Sequence, residues 1–179
     1  MKRSQAVKLC LIATTTFSLS ACEEPQTAGQ AYSNPSVCKE RGAHSVQECN
    51  EAFEVAKKLN SVAAPGYAEK ELCEKEFGIN NCNYVSGTSG WYWVPRMSGY
   101  FVGNAIGDYY SRTRPIYNTP GGGLFSPGGG EVRLLGNGKA EMPSKLLSSS
   151  PSVTKVQTRT MVVARGGFGT RSSRFSFGG

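Results

Sequence analysis

The segment "SVQECNEAFEVAKKL" (Ser45–Leu59) carries the strongest folding signal in the chain. Ser45 and Glu48 have the spacing of a capping box, in which each side chain bonds the other residue's backbone N–H. The apolar residues that follow recur every three or four positions, which predicts an amphipathic helix. Ala64-Pro65-Gly66 ends this helix. A second, shorter helix is predicted from about residue 68 to residue 77, so that the two helices would form a hairpin.

The first 21 residues have the pattern of a secretory signal peptide. Three basic residues precede a short apolar run, "LCLIATTTFSL" (Leu9–Leu19), which is followed by Ser20 and Ala21. The run is too short to span a membrane, which requires about 20 apolar residues. The tetrapeptide Leu19-Ser20-Ala21-Cys22 resembles the lipobox of bacterial lipoproteins. That resemblance implies cleavage before Cys22, acylation of the new N-terminus with a fatty acid such as palmitate, and a membrane anchor.

Four of the six cysteines remain for pairing once Cys10 is removed with the signal and Cys22 carries a lipid. Export to an oxidising compartment favours disulfides between them. The favoured pairs are Cys38–Cys49 and Cys73–Cys82, because each closes a short loop and would contribute about 3 kcal/mol. A Cys49–Cys73 bond, which would connect the two helices, is the alternative.

These features predict a small α-helical, disulfide-linked hairpin module followed by a largely irregular region that is rich in Gly, Pro and Ser. A module of this size rarely folds on its apolar core alone, so the disulfides would supply the additional stability that it needs. In the basic tail, "VTKVQTRTMVVA" (Val153–Ala164) has enough β-branched residues to predict a strand. The predicted divisions are the signal peptide (1–21), a tether (22–37), the helical module (38–84), an aromatic and glycine-rich segment (85–110), a disordered linker (111–152) and the basic tail (153–179).

Glycines recur at four-residue steps in the aromatic segment "WYWVPRMSGYFVGNAIGDYY" (Trp91–Tyr110). In a helix, Gly99, Gly103 and Gly107 would line one face and let a second helix approach closely. Such a helix would mediate self-association or lie on a membrane surface, with the neighbouring Trp and Tyr side chains at the level of the lipid headgroups. The alternative is a glycine-rich loop, because each glycine disfavours a helix by about 1 kcal/mol.

Positive charge is concentrated in the C-terminal half of the chain. The whole chain has a net charge of +7, and residues 85–179 contain eleven basic and three acidic residues. In the tail, Arg165, Arg171 and Arg174 lie among glycines and phenylalanines, a composition typical of segments that bind nucleic acid. An exported protein meets little nucleic acid, so the predicted ligand of these arginines is an anionic envelope surface such as phospholipid or lipopolysaccharide. A merely solubilising tail is the alternative.

Residues suited to catalysis are scarce. The chain has one histidine, His44, and one aspartate, Asp108, and they lie in different predicted regions. A hydrolytic nucleophile needs both a base and a group that orients it. His44 directly precedes the capping box, where a solvated loop residue is expected. We therefore predict a protein that is not an enzyme and that needs no cofactor or metal, since cysteine pairs of the zinc-binding C-x₂-C type are absent from the sequence.

Several features in order resemble the YgiB-like family of uncharacterised bacterial envelope lipoproteins. They are the lipobox at Cys22, the pairs Cys38/Cys49 and Cys73/Cys82, the stretch "WVPRMSGYFVG" and the terminal "RGGFG". The resemblance implies an exported, lipid-anchored protein and no established activity.

The function expected from these features is that of a periplasm-facing lipoprotein that binds an envelope protein or an anionic envelope component. A structural lipoprotein that self-associates and an accessory to an envelope enzyme are the alternatives. Glu23 follows Cys22 at the position where an Asp would favour the inner membrane, so the outer membrane is slightly favoured.

Overall fold

The computed structural model, which describes residues 24–87, 90–104, 109–128, 130–148 and 156–158, is built around a closed barrel of six antiparallel strands. The strands in chain order are β1 (Gln26–Tyr32), β2 (Gly66–Tyr67), β3 (Cys82–Gly87), β4 (Gly90–Pro95), β5 (Gly99–Gly103), β6 (Thr113–Asn118), β7 (Leu124–Ser126), β8 (Gly130–Gly136), β9 (Lys139–Pro143) and β10 (Val156–Gln157). The barrel order is β1-β5-β6-β7-β8-β9, and it closes because β9 pairs back with β1 in the register Gln26↔Pro143 to Gln30↔Lys139.

A second, four-stranded sheet lies outside the barrel, in the order β10-β2-β4-β3. The β3–β4 pair is an antiparallel hairpin, and β10 runs parallel to β2. The hairpin joins the barrel through residues 96–98, where the Ser98 backbone N–H donates to the Ile116 carbonyl at 2.9 Å. β3 forms one edge of this sheet, which matters for the surface described below.

The helices pack around the two sheets. They are α1 (Pro35–Arg41), α2 (Val46–Ala63), α3 (Lys70–Phe77), α4 (Tyr109–Arg112) and α5 (Ser144–Ser148). The predicted capping box at the start of α2 is confirmed: the Ser45 hydroxyl accepts from the Glu48 N–H, and the Glu48 carboxylate accepts from the Ser45 N–H. The helical hairpin is not formed, because α2 packs mainly on α1 and β6 while α3 packs on β2, β3 and β4.

The fold-class prediction of a small α-helical module followed by a largely irregular region is therefore wrong. The segment 111–152 supplies β6 to β9, and the segment 22–37, predicted as a tether, contains β1. Several glycines of the segment 111–152 occupy turns between short strands. Gly121 and Gly122 link β6 to β7, Gly128 lies between β7 and β8, and all three have positive φ. A composition rich in Gly, Pro and Ser is therefore compatible with a barrel of short strands as well as with disorder.

The glycine-faced helix predicted within residues 91–110 is also wrong. β4 and β5 occupy half of that range, and Gly99 and Gly103 are both buried in the barrel strand β5. A Cβ on Gly99 would meet the Tyr32 carbonyl oxygen of the neighbouring strand, and one on Gly103 would lie 3.1 Å from Leu147. These glycines permit close packing within the barrel rather than between helices. Gly107 lies outside the described residues.

The predicted disulfides are confirmed as Cys38–Cys49 and Cys73–Cys82, and the alternative Cys49–Cys73 bond is wrong. The first joins α1 to α2 beneath the outer face of β1 and β5, where Tyr32 and Tyr100 are buried. The second joins α3 to the start of β3. Each bond connects a helix covalently to its neighbouring element. The small apolar clusters alone would hold the two elements together only weakly.

The described barrel interior is mostly apolar and contains one buried cation, Arg114. Its side chains are Ala31, Phe101, Ile116, Val132, Ala140, Met142 and Leu146, and α5 covers one end. Arg114 points into this interior and donates to the carbonyls of Leu146 at 2.6 Å and Leu147 at 2.8 Å. Its guanidinium therefore satisfies carbonyls near the end of α5, which would otherwise lack donors.

Candidate functional site

The most distinctive surface of the described residues is a row of three aromatic side chains on the β3–β4 hairpin, here called the aromatic row: Tyr84, Trp91 and Trp93. Tyr84 lies directly opposite Trp93 across the hairpin, and Trp91 lies diagonally from it, opposite Ser86. The Tyr84 ring is stacked on Trp91 at a centroid distance of 5.2 Å and is 5.0 Å from the Trp93 ring. Trp91 is 64% exposed and Tyr84 is 54% exposed, while Trp93 is half-buried.

The other face of the hairpin explains why the row is turned outward. Because side chains alternate along a strand, Val85, Tyr92 and Val94 project to the opposite side. There they pack against the cluster that contains Tyr67 and Phe77. One face therefore packs on an apolar core, while on the other face Tyr84 and Trp91 are exposed and Trp93 also contacts the edge of that core.

The base of the hairpin is held rigidly. The Cys73–Cys82 disulfide fixes the first residue of β3, and the Arg96 N–H donates to the Asn81 carbonyl at 2.7 Å. At the tip, Gly90 has a φ of +106°, a conformation that only glycine adopts readily. A rigid base reduces the conformational entropy that the aromatic row would lose on binding.

Charged groups flank the row without covering it. The Lys70 ammonium lies 5.7 Å from the centroid of the Trp93 ring and 3.4 Å from the Glu74 carboxylate. The Arg96 guanidinium donates to the Asn83 side chain at 3.3 Å. The surface thus combines apolar rings, indole and phenol donors, and flanking charged groups, a combination that is typical of the energetic centre of a protein interface.

Beneath the second sheet lies a buried carboxyl group, Glu76, which is 6% exposed. The Tyr67 hydroxyl donates to its Oε2 at 3.0 Å, and its buried Oε1 has no hydrogen-bond partner among the described residues. Burial raises the pKa of Glu76 to about 7, an effect that the Tyr67 hydrogen bond and the Lys75 charge partly oppose. Burial and the nearby Glu76 carboxylate also raise the pKa of Tyr67. The pair is enclosed, so it affects stability rather than contacting a ligand.

The single histidine packs against the protein instead of standing free. The His44 ring lies edge-on to the Tyr32 ring at 6.0 Å, and burial is the main cause that lowers its pKa. This placement replaces the solvated loop position expected from the sequence with a half-buried packing position. Asp108 lies outside the described residues. Among the residues that the structure describes, no group of three or more His, Cys, Asp or Glu side chains could hold a metal ion.

The other predicted site residues divide into two sets. Gly99 and Gly103 lie inside the barrel, as described above. The predicted lipidation site Cys22 and the predicted anion-binding residues Arg165, Arg171 and Arg174 lie outside the described residues, so these predictions stand as they were made. Among the described residues, no helix combines the length and apolarity that crossing a membrane requires.

Sequence reasoning missed the aromatic row because it considered residues 91–110 only as a glycine-faced helix or a glycine-rich loop, and not as strands. A usable signal was present: the two tryptophans are two residues apart, which is the period of one face of a strand. Gly87 and Gly90 bracket a turn at the right distance from a second run that contains β-branched and aromatic residues, "NYVS". Tyr84 could be recognised as part of the row only from the pairing of the two strands.

Comparison with known proteins gives a family but no activity. The family model described as "Protein of unknown function (DUF1190)" matches residues 26–178. A UPF0441 protein of Erwinia tasmaniensis is 28% identical over 90% of this chain and 78% of its own length, and one of Photorhabdus laumondii is 27% identical over 90% and 79%. One of Klebsiella pneumoniae is 26% identical over 90% and 78%. No solved structure matches the chain significantly. The family match spans the barrel, the second sheet and both disulfides, and the chain belongs to the DUF1190 family of proteins of unknown function.

Proposed function

We propose that this protein is a lipid-anchored, non-catalytic binding module of the bacterial cell envelope that holds an envelope protein on its aromatic row. The observation that carries the proposal is the exposure of Tyr84 and Trp91 on a rigid hairpin. Large aromatic side chains that remain in water on a folded chain mark interaction sites when they are contiguous. Tryptophan and tyrosine are also the residue types that contribute most to protein–protein affinity.

The first described residues of the chain contact the barrel, so only a short segment would separate the barrel from the proposed lipid anchor. The Ser144 N–H donates to the Pro25 carbonyl at 2.8 Å, and the Lys145 ammonium lies 2.7 Å from the Glu24 carboxylate. Residue 24 is therefore fastened to the α5 end of the barrel. Two peptide bonds separate it from Cys22, a span of at most about 7 Å. A lipid on Cys22 would hold the α5 end of the barrel close to the membrane surface.

The base of the hairpin that carries the aromatic row adjoins the opposite end of the barrel. β4 leads through residues 96–98 into Gly99, whose strand begins beside the end of β1 near Tyr32, whereas the anchor adjoins the start of β1. This arrangement favours a protein partner in the envelope space over the membrane that carries the anchor. The placement of the tryptophans at headgroup level, expected from the sequence, is therefore not the one we propose.

The proposal is tested by co-purification from detergent-solubilised envelopes. A triple variant, Tyr84→Ser with Trp91→Ser and Trp93→Ser, removes the row. A double variant, Leu134→Ser with Leu135→Ser, is the matched control, because these leucines are 54% and 52% exposed on the β8–β9 hairpin. We expect the same envelope protein to accompany the wild type and the control, and to fall about tenfold or more with the triple variant. Equal recovery with all three chains would overturn the proposal.

The alternative ligand is an anionic lipid or lipopolysaccharide, and it is favoured by the charge of the tail. Residues 85–179 carry eleven basic and three acidic residues, and the predicted contacts are Arg165, Arg171 and Arg174. Deletion of residues 159–179 removes these arginines and retains β10. Binding to vesicles of anionic phospholipid in low salt, compared between full and shortened chains, tests this role; equal binding would count against it.

A further inference from the structure

We propose that β3 is a self-association edge, on which a second copy of this chain adds its own β3 in antiparallel orientation. The resulting two-fold dimer would contain one continuous sheet. This proposal does not depend on the partner of the aromatic row, because it concerns the backbone edge of the hairpin rather than its aromatic face. It also replaces self-association through the predicted glycines, since Gly99 and Gly103 are buried in the barrel strand β5.

The hydrogen-bond pattern of the hairpin identifies which backbone groups face outward. The Arg96 N–H donates to the Asn81 carbonyl, so Asn81 and Arg96 form a hydrogen-bonded pair. Hydrogen-bonded and non-hydrogen-bonded pairs alternate along an antiparallel ladder. Tyr84 and Ser86 therefore belong to the non-hydrogen-bonded pairs with Trp93 and Trp91. Their N–H and C=O groups point away from β4, toward a side on which no other strand of the described part of the chain pairs.

The β3 edge lacks the features by which proteins usually protect such an edge. Natural edge strands carry lysine or another charge, a proline, or a bulge that prevents pairing with a second molecule. The strand Cys82–Gly87 has the sequence "CNYVSG", with no charged residue and no proline, and its pairing with β4 runs through six consecutive residues without a bulge. An unprotected edge of this length is suited to accept another strand.

A second copy of the chain meets the requirements of this edge. In a two-fold antiparallel pair, the same residues supply donors and acceptors on both sides, so each outward N–H finds an outward C=O. Two copies of "CNYVSG" also meet without charge repulsion, because the strand is uncharged. The two-fold axis stands perpendicular to the sheet, so both aromatic rows lie on the same face. Dimerisation would thereby join two rows of three rings into one larger binding surface.

The test is the molar mass of the full chain, purified in detergent, over a range of concentrations by light scattering that separates protein from detergent mass. Ser86→Pro removes only an outward N–H, which the ladder with β4 does not use. Ser86→Ala is the matched control, and Ser86→Lys is a second variant that adds a charge to the edge. Tryptophan emission and circular dichroism establish that each variant is folded.

We expect wild type and Ser86→Ala to dimerise with the same affinity. The dimer affinity of Ser86→Pro and of Ser86→Lys should be lower by about tenfold or more. A wild type that stays monomeric at every concentration would overturn the proposal. This holds even if a strand of another protein pairs with β3. A dimer whose affinity is unchanged in both folded edge variants would overturn it as well. Loss of the envelope partner in the triple aromatic variant, with dimerisation retained, would separate this proposal from the previous one.

Discussion

Replacing Glu76 by glutamine should change how the stability of this protein depends on pH. Glu76 is 6% exposed beneath the second sheet, with one carboxyl oxygen bonded to the Tyr67 hydroxyl and the other without a hydrogen-bond partner in the described residues. Burial raises its pKa from an ordinary 4.5 to about 7. Glutamine has nearly the same shape and can still accept from Tyr67, but it cannot ionise.

The sign of the effect follows from proton binding. Between about pH 4.5 and pH 7, the folded protein holds a proton on Glu76 that the unfolded chain has already released. The free energy of unfolding therefore falls as pH rises, by about 1.4 kcal/mol per pH unit in this window and by about 3 kcal/mol in total. Below the window both states are protonated, and above it both are ionised, so the contribution is constant on either side.

Urea denaturation at pH 5, 6, 7 and 8, followed by tryptophan emission, measures this dependence. We expect Glu76→Gln to gain about 2–3 kcal/mol relative to the wild type between pH 5 and pH 8. Glu71→Gln, on the exposed side of the same helix, is the matched control and should follow the wild type. Parallel curves for wild type and Glu76→Gln would refute the assignment of a buried, protonated carboxyl group at this position.

Three further predictions concern the disulfides, the buried arginine and the anchor. Replacing Cys73 and Cys82 together by serine should lower the free energy of unfolding by about 3 kcal/mol, as measured by urea denaturation, and an unchanged midpoint would contradict the role given to this bond. Arg114→Lys should lower the melting temperature and the free energy of unfolding by about 2 kcal/mol, because an ammonium cannot reach both the Leu146 and Leu147 carbonyls in the same planar geometry; equal melting of the two proteins would count against that. Cys22→Ser should abolish the mass added by acyl groups and release the protein from membranes, whereas an unmodified Cys22 in the wild-type mass spectrum would remove the anchor from the account.

The parts of the fold that could be predicted are those set by residues close in sequence. The capping box of Ser45 and Glu48 and the two disulfides depend on positions fewer than 12 residues apart. Local geometry restricts such contacts strongly, so the sequence pattern is informative.

The barrel depends on pairings between residues that are far apart in sequence. Gly29 of β1 lies opposite Gly103 of β5 and also opposite Ala140 of β9. The strands are short, and glycines stand both in their turns and at close approaches such as that between Gly29 and Phe101. Glycine-rich sequence is ambiguous between disorder and tightly packed strands, because the residue type does not state which neighbour requires the missing side chain.

The aromatic row was unpredictable for a related reason. Trp91 and Trp93 share a face by their spacing alone, but Tyr84 joins them only through the register of the hairpin. The same tryptophans are equally suited to a membrane surface when their attachment is unknown. Our proposal of a protein partner rests on the base of the hairpin, which adjoins the barrel end opposite the start of β1.

Photocrosslinking in intact cells is the most direct test of whether the aromatic row holds an envelope protein. A photoreactive amino acid is placed at position 91 in one chain and, as the matched control, at the similarly exposed position 135 in another. We expect a crosslinked adduct of one defined mass from position 91, absent from position 135 and abolished by Tyr84→Ser with Trp93→Ser. No adduct from position 91, or the same adduct from both positions, would contradict the proposal.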